Sequence, residues 1–145
     1  MNQHHFDCLE RMYLQAKVNT SFYESTEIHI TEKAAEISIE VSDKYFHALG
    51  AMHGSVYFKL LDDAAFFAVS SVVEDVFVLT TSFNIQLIRP VTEGKITAIG
   101  KLRFQSEKLF VAEAQLFNER GKEVAFGSGN FAKSKKALSE TIGYL

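Results

Sequence analysis

Residues 54–74 read GSVYFKLLDDAAFFAVSSVVE and form the longest periodic segment of the chain. Polar and charged side chains recur on one stripe at helical spacing: Lys59, Asp63, Ser70 and Glu74. The rest of the circumference is apolar, so a helix about 30 Å long would be enclosed by other elements rather than lie on a surface. The stretch predicts a buried central helix over 54–74.

Alternating patterns on both sides of this helix predict strands. They cover 25–31 and 35–41 before the helix, and 76–89, 94–104, 108–118 and 122–131 after it. Gly121 suits the turn between the last two strands because it tolerates positive φ. A further helix is predicted within residues 1–18. The order indicates an α+β fold, in which a curved antiparallel sheet of about six strands wraps around the central helix.

Composition narrows the class of protein. The chain has 145 residues, 47% of them hydrophobic, which favours a single folded domain over 1–145 and excludes disorder. A net charge of -3 gives no case for a nucleic-acid or membrane partner. Without a secretory pattern we expect a cytoplasmic protein. Residues 134–145 are expected to be a mobile tail.

Edge strands of the predicted sheet bear on assembly. A sheet of about six strands around one helix leaves exposed edges, and an apolar edge invites pairing with another chain. Homodimerisation is the simplest way to cover such an edge.

The predicted helix start offers an anion site. The first N–H groups of a helix have no internal partner, and Gly54 lets a ligand oxygen approach the backbone closely. This position can therefore stabilise the oxyanion of a carbonyl under attack. The alternative is an ordinary helix cap supplied by His53 or Ser55.

Two adjacent acids differ in their expected surroundings. Asp63 follows Lys59 by four residues and is expected to form a solvated pair with it. Asp62 is rotated about 100° away, beside Phe58 and Phe66. Partial desolvation would raise the pKa of Asp62 and make it a better base in a pocket; the alternative is a residue at the rim of the core.

Other chemical sites have weak support in the sequence. His47 and His53 lie six residues apart without further nearby ligands, so we expect no metal site. A serine nucleophile elbow and a phosphate-binding loop are both absent from the sequence. The GSG at 127–129 follows a strand pattern, which indicates a bulge or a close backbone approach.

The combined motifs resemble a known family. Residues 47–55 follow H-x-x-G-x-x-H-G-S, Asp62 stands nine residues after His53, and the strand LTTSFNIQLIRP (79–90) ends in Arg89-Pro90. This pattern resembles the hotdog-fold acyl-CoA thioesterases, in particular the phenylacetic-acid-degradation (PaaI-like) type. The resemblance covers roughly residues 20–133.

The resemblance implies a reaction and a set of catalytic residues. Asp62 would be the general base or nucleophile at the thioester carbonyl, and the Gly54 N–H would polarise that carbonyl. His53 would shape the loop, and His47 stands where the family has an Asn that holds the attacking water. Thr80 or Thr81 would assist. In the family, the acid and the loop come from different subunits, which implies a homodimer or a dimer of dimers.

Substrate contacts follow from the resemblance and from charge. His47 and Ser55 depart from the family's usual Asn and Gly, and Ser55 places a side chain near the thioester. The coenzyme A phosphates are expected near Arg89, Arg103 or Lys108. Four phenylalanines are candidates for lining an apolar acyl pocket, with ordinary core packing as the alternative: Phe58, Phe66, Phe67 and Phe83. No organic prosthetic group or other cofactor is implied.

Three other functions stay open at this point. His47 and Ser55 are compatible with a non-catalytic module that binds an acyl-CoA or an acyl group. A related dehydratase or hydratase is disfavoured because the acid stands in the thioesterase position on the helix. A structural dimer without a ligand is the third, and a sealed pocket at Asp62 would support it.

Overall fold

Six antiparallel strands and three α-helices make up the structure, a computed structural model that describes residues 2–145. In chain order they are α1 (Gln3–Gln15), α2 (Lys17–Ser21), β1 (Glu27–Thr31), β2 (Ala34–Glu40), α3 (Gly54–Ser70), β3 (Val76–Leu87), β4 (Lys95–Gln105), β5 (Phe110–Phe117) and β6 (Glu123–Ala137). Single 3₁₀ turns lie at Asp43–Tyr45 and Glu140–Ile142.

The strands form one sheet in the order β1-β2-β4-β5-β6-β3. All neighbouring strands are antiparallel, so β1 and β3 are the two edges. The prediction of an α+β fold with about six strands around a central helix is confirmed. The hairpin turn is confirmed too, since Gly121 adopts φ +79.

Helix α3 packs on the sheet and contacts every strand. Leu60, Leu61 and Ala64 are fully buried, as the apolar circumference predicts. Gly100 on β4 makes the close packing possible, because a Cβ there would lie 2.1 Å from the Ala64 carbonyl oxygen. The helix is thereby held in a fixed register over the middle of the sheet.

The central helix is shorter than the predicted 54–74 and ends at Ser70. The Ser71 hydroxyl donates to the Ala68 carbonyl at 2.7 Å and accepts from the Lys33 N–H at 2.8 Å. These bonds satisfy polar groups at the helix end and compete with continuation of the helix.

Both ends of the chain also differ from expectation. The segment predicted as one helix within 1–18 breaks at Ala16, whose ψ of 137 is not helical, and Met1 lies outside the described residues. The predicted mobile tail begins with residues 134–137, which instead extend β6 and pair with β3. The chain then folds back onto α1, where Tyr144 contacts His5.

The GSG at 127–129 marks a close approach, as predicted. A Cβ on Gly129 would lie 2.3 Å from the Phe83 ring on the paired strand β3. The β3–β6 register shifts between Thr80 and Ser82, so Thr81 is an extra residue in β3. Thr80 thereby faces α3.

Candidate active site

Asp62 lies on α3, half-buried, opposite β3. The Thr80 hydroxyl donates a hydrogen bond of 2.8 Å to its Oδ1. Within residues 2–145, no cation forms an ion pair with Asp62. The sequence left Thr80 and Thr81 as alternatives, and the structure brings Thr80 to the acid.

Burial raises the pKa of Asp62 from 3.8 to about 6. The hydrogen bond from Thr80 opposes this rise, the neighbouring charge of Asp63 adds to it, and Lys59 lowers the pKa again. A carboxylate with a pKa near 6 is ionised at neutral pH, yet it is a stronger base than an exposed aspartate.

A cleft of about 710 Å³ opens beside Asp62. Phe66 and Phe67 line it, as expected for an acyl pocket, and Phe77 and Leu79 of β3 form a further side. Its volume lies within the range of small-molecule sites, and most of its lining is apolar. The cleft therefore meets the two requirements of an acyl site, an apolar volume and a basic group at its wall.

Phe58 and Phe83 do not line this cleft. They pack edge to face, with ring centroids 5.8 Å apart. Phe83 lies over Gly129 on β6, and Phe58 is 40% exposed. The hypothesis that all four phenylalanines line one acyl pocket is therefore wrong for this pair.

Asp63, next to Asp62, also lines the cleft, but its carboxylate belongs to a different group of hydrogen-bonded side chains. Its Oδ2 accepts from Lys59 Nζ at 2.8 Å and from the Tyr13 hydroxyl at 2.7 Å. Lys59 also donates to Asn19 Oδ1 at 2.9 Å. The predicted Lys59–Asp63 pair exists, but the expectation that it is solvated is wrong, since only 15% and 22% of the two side chains are exposed. Lys59 thus pairs with Asp63, and among the described residues Asp62 has no direct cationic partner.

The start of α3 carries the candidate oxyanion donor. His53 is the N-cap, and its Nδ1 accepts from the Ser55 N–H at 3.0 Å and contacts Ser55 Oγ at 2.8 Å. The capping alternative is therefore confirmed for His53. The Gly54 N–H, by contrast, has no protein acceptor within residues 2–145. The start of α3 therefore has both the cap from His53 and the free N–H of Gly54.

A second, smaller cleft of about 270 Å³ lies beside Gly54. Arg89 and Leu87 line it together with Gly54, and a Cβ on Gly54 would lie 3.4 Å from Leu87 Cδ1. A hydrogen bond anchors the Arg89 guanidinium, because its Nη1 donates to the Glu123 carbonyl at 2.6 Å. The Gly54 backbone N–H and the anchored Arg89 guanidinium therefore line the same cleft.

The other predicted site residues lie apart. The Nδ1 of His47, in an exposed loop, accepts from the Leu49 N–H at 3.1 Å. The Thr81 hydroxyl donates to the Asn130 carbonyl at 3.0 Å. Lys108 lies on the turn between β4 and β5, and Arg103 approaches Glu113 at 3.7 Å; neither lines the two clefts described above.

One chain alone does not bring Gly54 and Asp62 together. Eight residues of helix separate them, a rise of about 12 Å. Asp62 faces Thr80 near the start of β3, whereas Gly54 lies beside Leu87 at its end. These two candidate groups thus lie near opposite ends of the edge strand, and we name the surroundings of each one a half-site.

Within residues 2–145, no three His, Cys, Asp or Glu side chains are grouped to hold a metal ion. In the same range, every helix is too short or too polar to span a membrane.

Comparison with known families decides the class of this chain. The model of the thioesterase superfamily matches residues 49–125, which include α3 with both half-sites and β3. The chain belongs to the thioesterase superfamily. No curated protein matches it.

Solved structures confirm the hotdog fold of this thioesterase-superfamily chain. The PaaI protein of the Escherichia coli phenylacetic acid degradation operon is 19% identical, with a TM-score of 0.84 over 94% of this chain and 98% of that one. A Haemophilus influenzae thioesterase is 19% identical, with a TM-score of 0.74 over 84% and 85% of the two chains. A conserved Pseudomonas aeruginosa protein is 23% identical, with a TM-score of 0.76 over 85% and 97%. The resemblance stated from the motifs is thus confirmed for the superfamily and the fold.

Several residues that line the cleft of this superfamily member were not predicted from the sequence as site residues. Met12 and Tyr13 of α1 and Ile142 near the end of the chain line the cleft beside Asp62. The helical spacing of α1 predicts that Met12 and Tyr13 are buried, but it does not predict what they face. Ile142 lies within the segment predicted as a mobile tail, where no periodicity was found.

Proposed function

We propose that this protein hydrolyses an acyl-CoA thioester to the free acid and CoA. Its superfamily supports thioester hydrolysis in general, and one observation carries the assignment to this site. A half-buried carboxylate with its pKa raised to about 6 stands at the wall of an apolar cleft of about 710 Å³. The cleft suits a nonpolar acyl group, and the carboxylate suits the role of general base.

The chemistry assigns Asp62 the first step. As general base, Asp62 takes a proton from water while the water oxygen attacks the thioester carbonyl. The carbonyl oxygen becomes an oxyanion, which the Gly54 N–H stabilises at the helix tip. The C–S bond then breaks and CoA leaves as a thiolate, which takes up a proton. Direct attack by Asp62 on the carbonyl is the alternative first step, with an anhydride intermediate that water hydrolyses.

A homodimer would complete the site, since Gly54 and Asp62 of one chain lie apart. Strand β3 is an edge with two strongly exposed leucines, Leu79 at 49% and Leu87 at 48%. Antiparallel pairing of two β3 edges would cover both leucines and set the Leu87 end of one chain beside the Thr80 end of the other. The Gly54 of one chain would then face the Asp62 of its partner. The choice between a dimer and a dimer of dimers stays a prediction.

The remaining polar residues take supporting parts in this proposal. Nδ1 of His47 accepts the bond from the Leu49 N–H, so Nε2 carries the ring proton and would orient a water. His53 and Ser55 hold the loop at the helix tip. Arg89 would bind a CoA phosphate beside Gly54. Thr81 is supported only by its position in the motif, and Lys108 only by its charge.

The direct test compares Asp62→Asn with the exposed control Asp43→Asn. Release of free thiol is measured across a panel of short, medium, long and aromatic acyl-CoAs. Loss of the base is expected to lower kcat by about 10²–10⁴-fold, with Asp43→Asn unchanged. Full turnover by Asp62→Asn would remove Asp62 from the mechanism. Tight binding by the wild type with no thiol release from any substrate would instead favour the non-catalytic binding module.

A further inference from the structure

The last eight residues, 138–145, which we name the C-terminal segment, form part of the cleft beside Asp62. After β6 ends at Ala137, the segment turns over α1, and Thr141, Ile142 and Leu145 line the cleft. Met12 of α1, Phe66 of α3 and Phe77 of β3 line the same cleft. The cleft is therefore bounded partly by residues outside the hotdog sheet and its central helix.

Buried hydrogen bonds hold the segment in place. The Tyr144 hydroxyl lies 2.7 Å from Nδ1 of His5, and Nε2 of His5 lies 2.8 Å from the Ser70 carbonyl. A carbonyl only accepts, so Nε2 carries the proton and Nδ1 accepts from Tyr144. His5 is 1% exposed. One buried imidazole thus joins the C-terminal segment, α1 and the end of α3.

Backbone contacts add to this attachment. The Leu138 N–H donates to the Asp75 carbonyl at 3.1 Å, and Arg11 donates to the Leu145 carbonyl. Gly143 has φ +90, a conformation that other residues rarely adopt, and a Cβ there would lie 3.5 Å from the Met12 Cα. This turn directs Tyr144 onto His5. The segment is built to lie in one position against α1.

We propose that the C-terminal segment is the specificity wall of the acyl cleft and sets the longest acyl chain that the protein accepts. This inference rests on the proposed function, because it assigns the cleft beside Asp62 to the acyl group. The substrate class is a CoA thioester with an extended apolar acyl chain. The chain would run from the carbonyl at Asp62 past Phe66 and end against Ile142.

A series of S-alkyl-CoA thioethers tests the wall without any reaction. These compounds lack the carbonyl, so titration calorimetry reports binding alone for chains of every length from butyl to hexadecyl. Each buried methylene is expected to raise the affinity about fourfold until the chain meets the wall. Beyond that length, the affinity stops rising. The length at which it stops is the measured limit.

Two substitutions are expected to move this limit in opposite directions. Ile142→Ala opens the wall and should shift the limit to chains about three carbons longer, the number of carbons removed. Thr141→Phe fills the cleft and should shift the limit to shorter chains. Leu109→Ala is the control, because Leu109 is an exposed apolar residue that does not line the cleft. It should leave the limit unchanged.

Tyr144→Phe tests whether His5 positions the wall. The ring is kept and only the hydroxyl that donates to Nδ1 is lost. We expect the affinity for butyl and hexyl chains to stay the same. For long chains, the affinity should level off gradually over several chain lengths instead of stopping at one length. A general loss of folding would instead lower the affinity for all chain lengths alike, and that result would count against a positioning role.

The outcomes separate this inference from the proposed function. Identical limits in wild type, Ile142→Ala and Thr141→Phe would overturn the specificity wall, even if Asp62→Asn abolishes hydrolysis. Shifted limits in a protein that releases no thiol would support the wall and overturn the hydrolytic function. Shifted limits together with the same shift in the chain-length profile of kcat/KM would support both.

Discussion

Asp62 and Gly54 lie on the same helix in opposite surroundings. Asp62 is half-buried beside a cleft of about 710 Å³ whose sides come from α1, α3, β3 and the C-terminal segment. Gly54 lies at the rim of a cleft of about 270 Å³, among the exposed side chains of Leu87 and Arg89. One chain thus supplies several elements around Asp62, whereas the side chains beside Gly54 are exposed to solvent.

This difference shows which chemistry one chain can prepare alone. The raised pKa of Asp62 comes mainly from desolvation, which the packing of α3 against β3 supplies within one chain. Stabilising an oxyanion requires a donor that is free until the substrate arrives, and the Gly54 N–H meets this condition. The open half-site is therefore consistent with completion by a second chain, as proposed above.

Gly54→Pro should have the largest effect on the open half-site. Proline removes the N–H, yet it suits the first position of a helix, and His53 already has the extended φ -64 and ψ 145 that a residue before proline adopts. Loss of one oxyanion donor is expected to lower kcat about 10²–10³-fold. Gly54→Ala is the matched control, since it keeps the N–H and only adds contact with Leu87. Equal rates for the two variants would show that the N–H is not the donor.

Mixing two inactive variants tests whether the two half-sites meet across subunits. A heterodimer of Asp62→Asn and Gly54→Pro chains has one site with both groups intact and one site with neither. Random exchange of subunits should therefore restore roughly a quarter of the wild-type activity. A site built within one chain would give no recovery, and that result would overturn the shared site. Each variant mixed with itself is the control.

Local patterns predict the parts of the site that lie on α3. The apolar circumference of residues 54–74 predicts burial, and the rotation between Asp62 and Asp63 predicts that one faces Phe66 while the other meets Lys59. Both predictions depend only on the helical repeat. The helix end at Ser70 was missed because it depends on Lys33, which is distant in sequence.

Pairings between distant segments could not be predicted in this way. Thr80 meets Asp62 because the register shift around Thr81 sets which threonine faces α3, and strand alternation alone does not show where a register shifts. The bond between His5 and Tyr144 joins the two ends of the chain. The lysines and small residues at 134–137 were predicted as a tail, since their place at the end of β6 depends on pairing with β3.

Asp62→Asn should stabilise the fold at neutral pH while it lowers activity. The folded-state pKa of about 6 exceeds the ordinary value of 3.8, so the protonated form stabilises the fold below pH 3.8 and this contribution is lost as the pH rises through about 6. Asparagine has no charge to desolvate. With allowance for solvent screening of a half-buried group, we expect a gain of about 1–2 kcal/mol at neutral pH and almost none in acid.

Denaturant unfolding at a series of pH values measures this gain. Asp43→Asn, at an exposed position, should show no comparable difference between acid and neutral conditions. A gain for Asp62→Asn that is the same at both ends of the pH range would contradict desolvation as its cause. A loss at neutral pH would indicate that the ionised carboxylate stabilises the fold.

Thr80→Val should produce the smallest and most specific change. The substitution keeps the shape of the side chain and removes the hydroxyl that donates to Asp62, a bond that lowers the pKa of the acid. The acidic limb of kcat/KM against pH is therefore expected to move upward by about half to one pH unit, the equivalent of one hydrogen bond. Thr81→Val is the matched control, because that hydroxyl donates to the Asn130 carbonyl instead. If both variants kept the wild-type limb, the group that titrates in the reaction would not be Asp62, since the Thr80 hydroxyl bonds directly to that carboxylate.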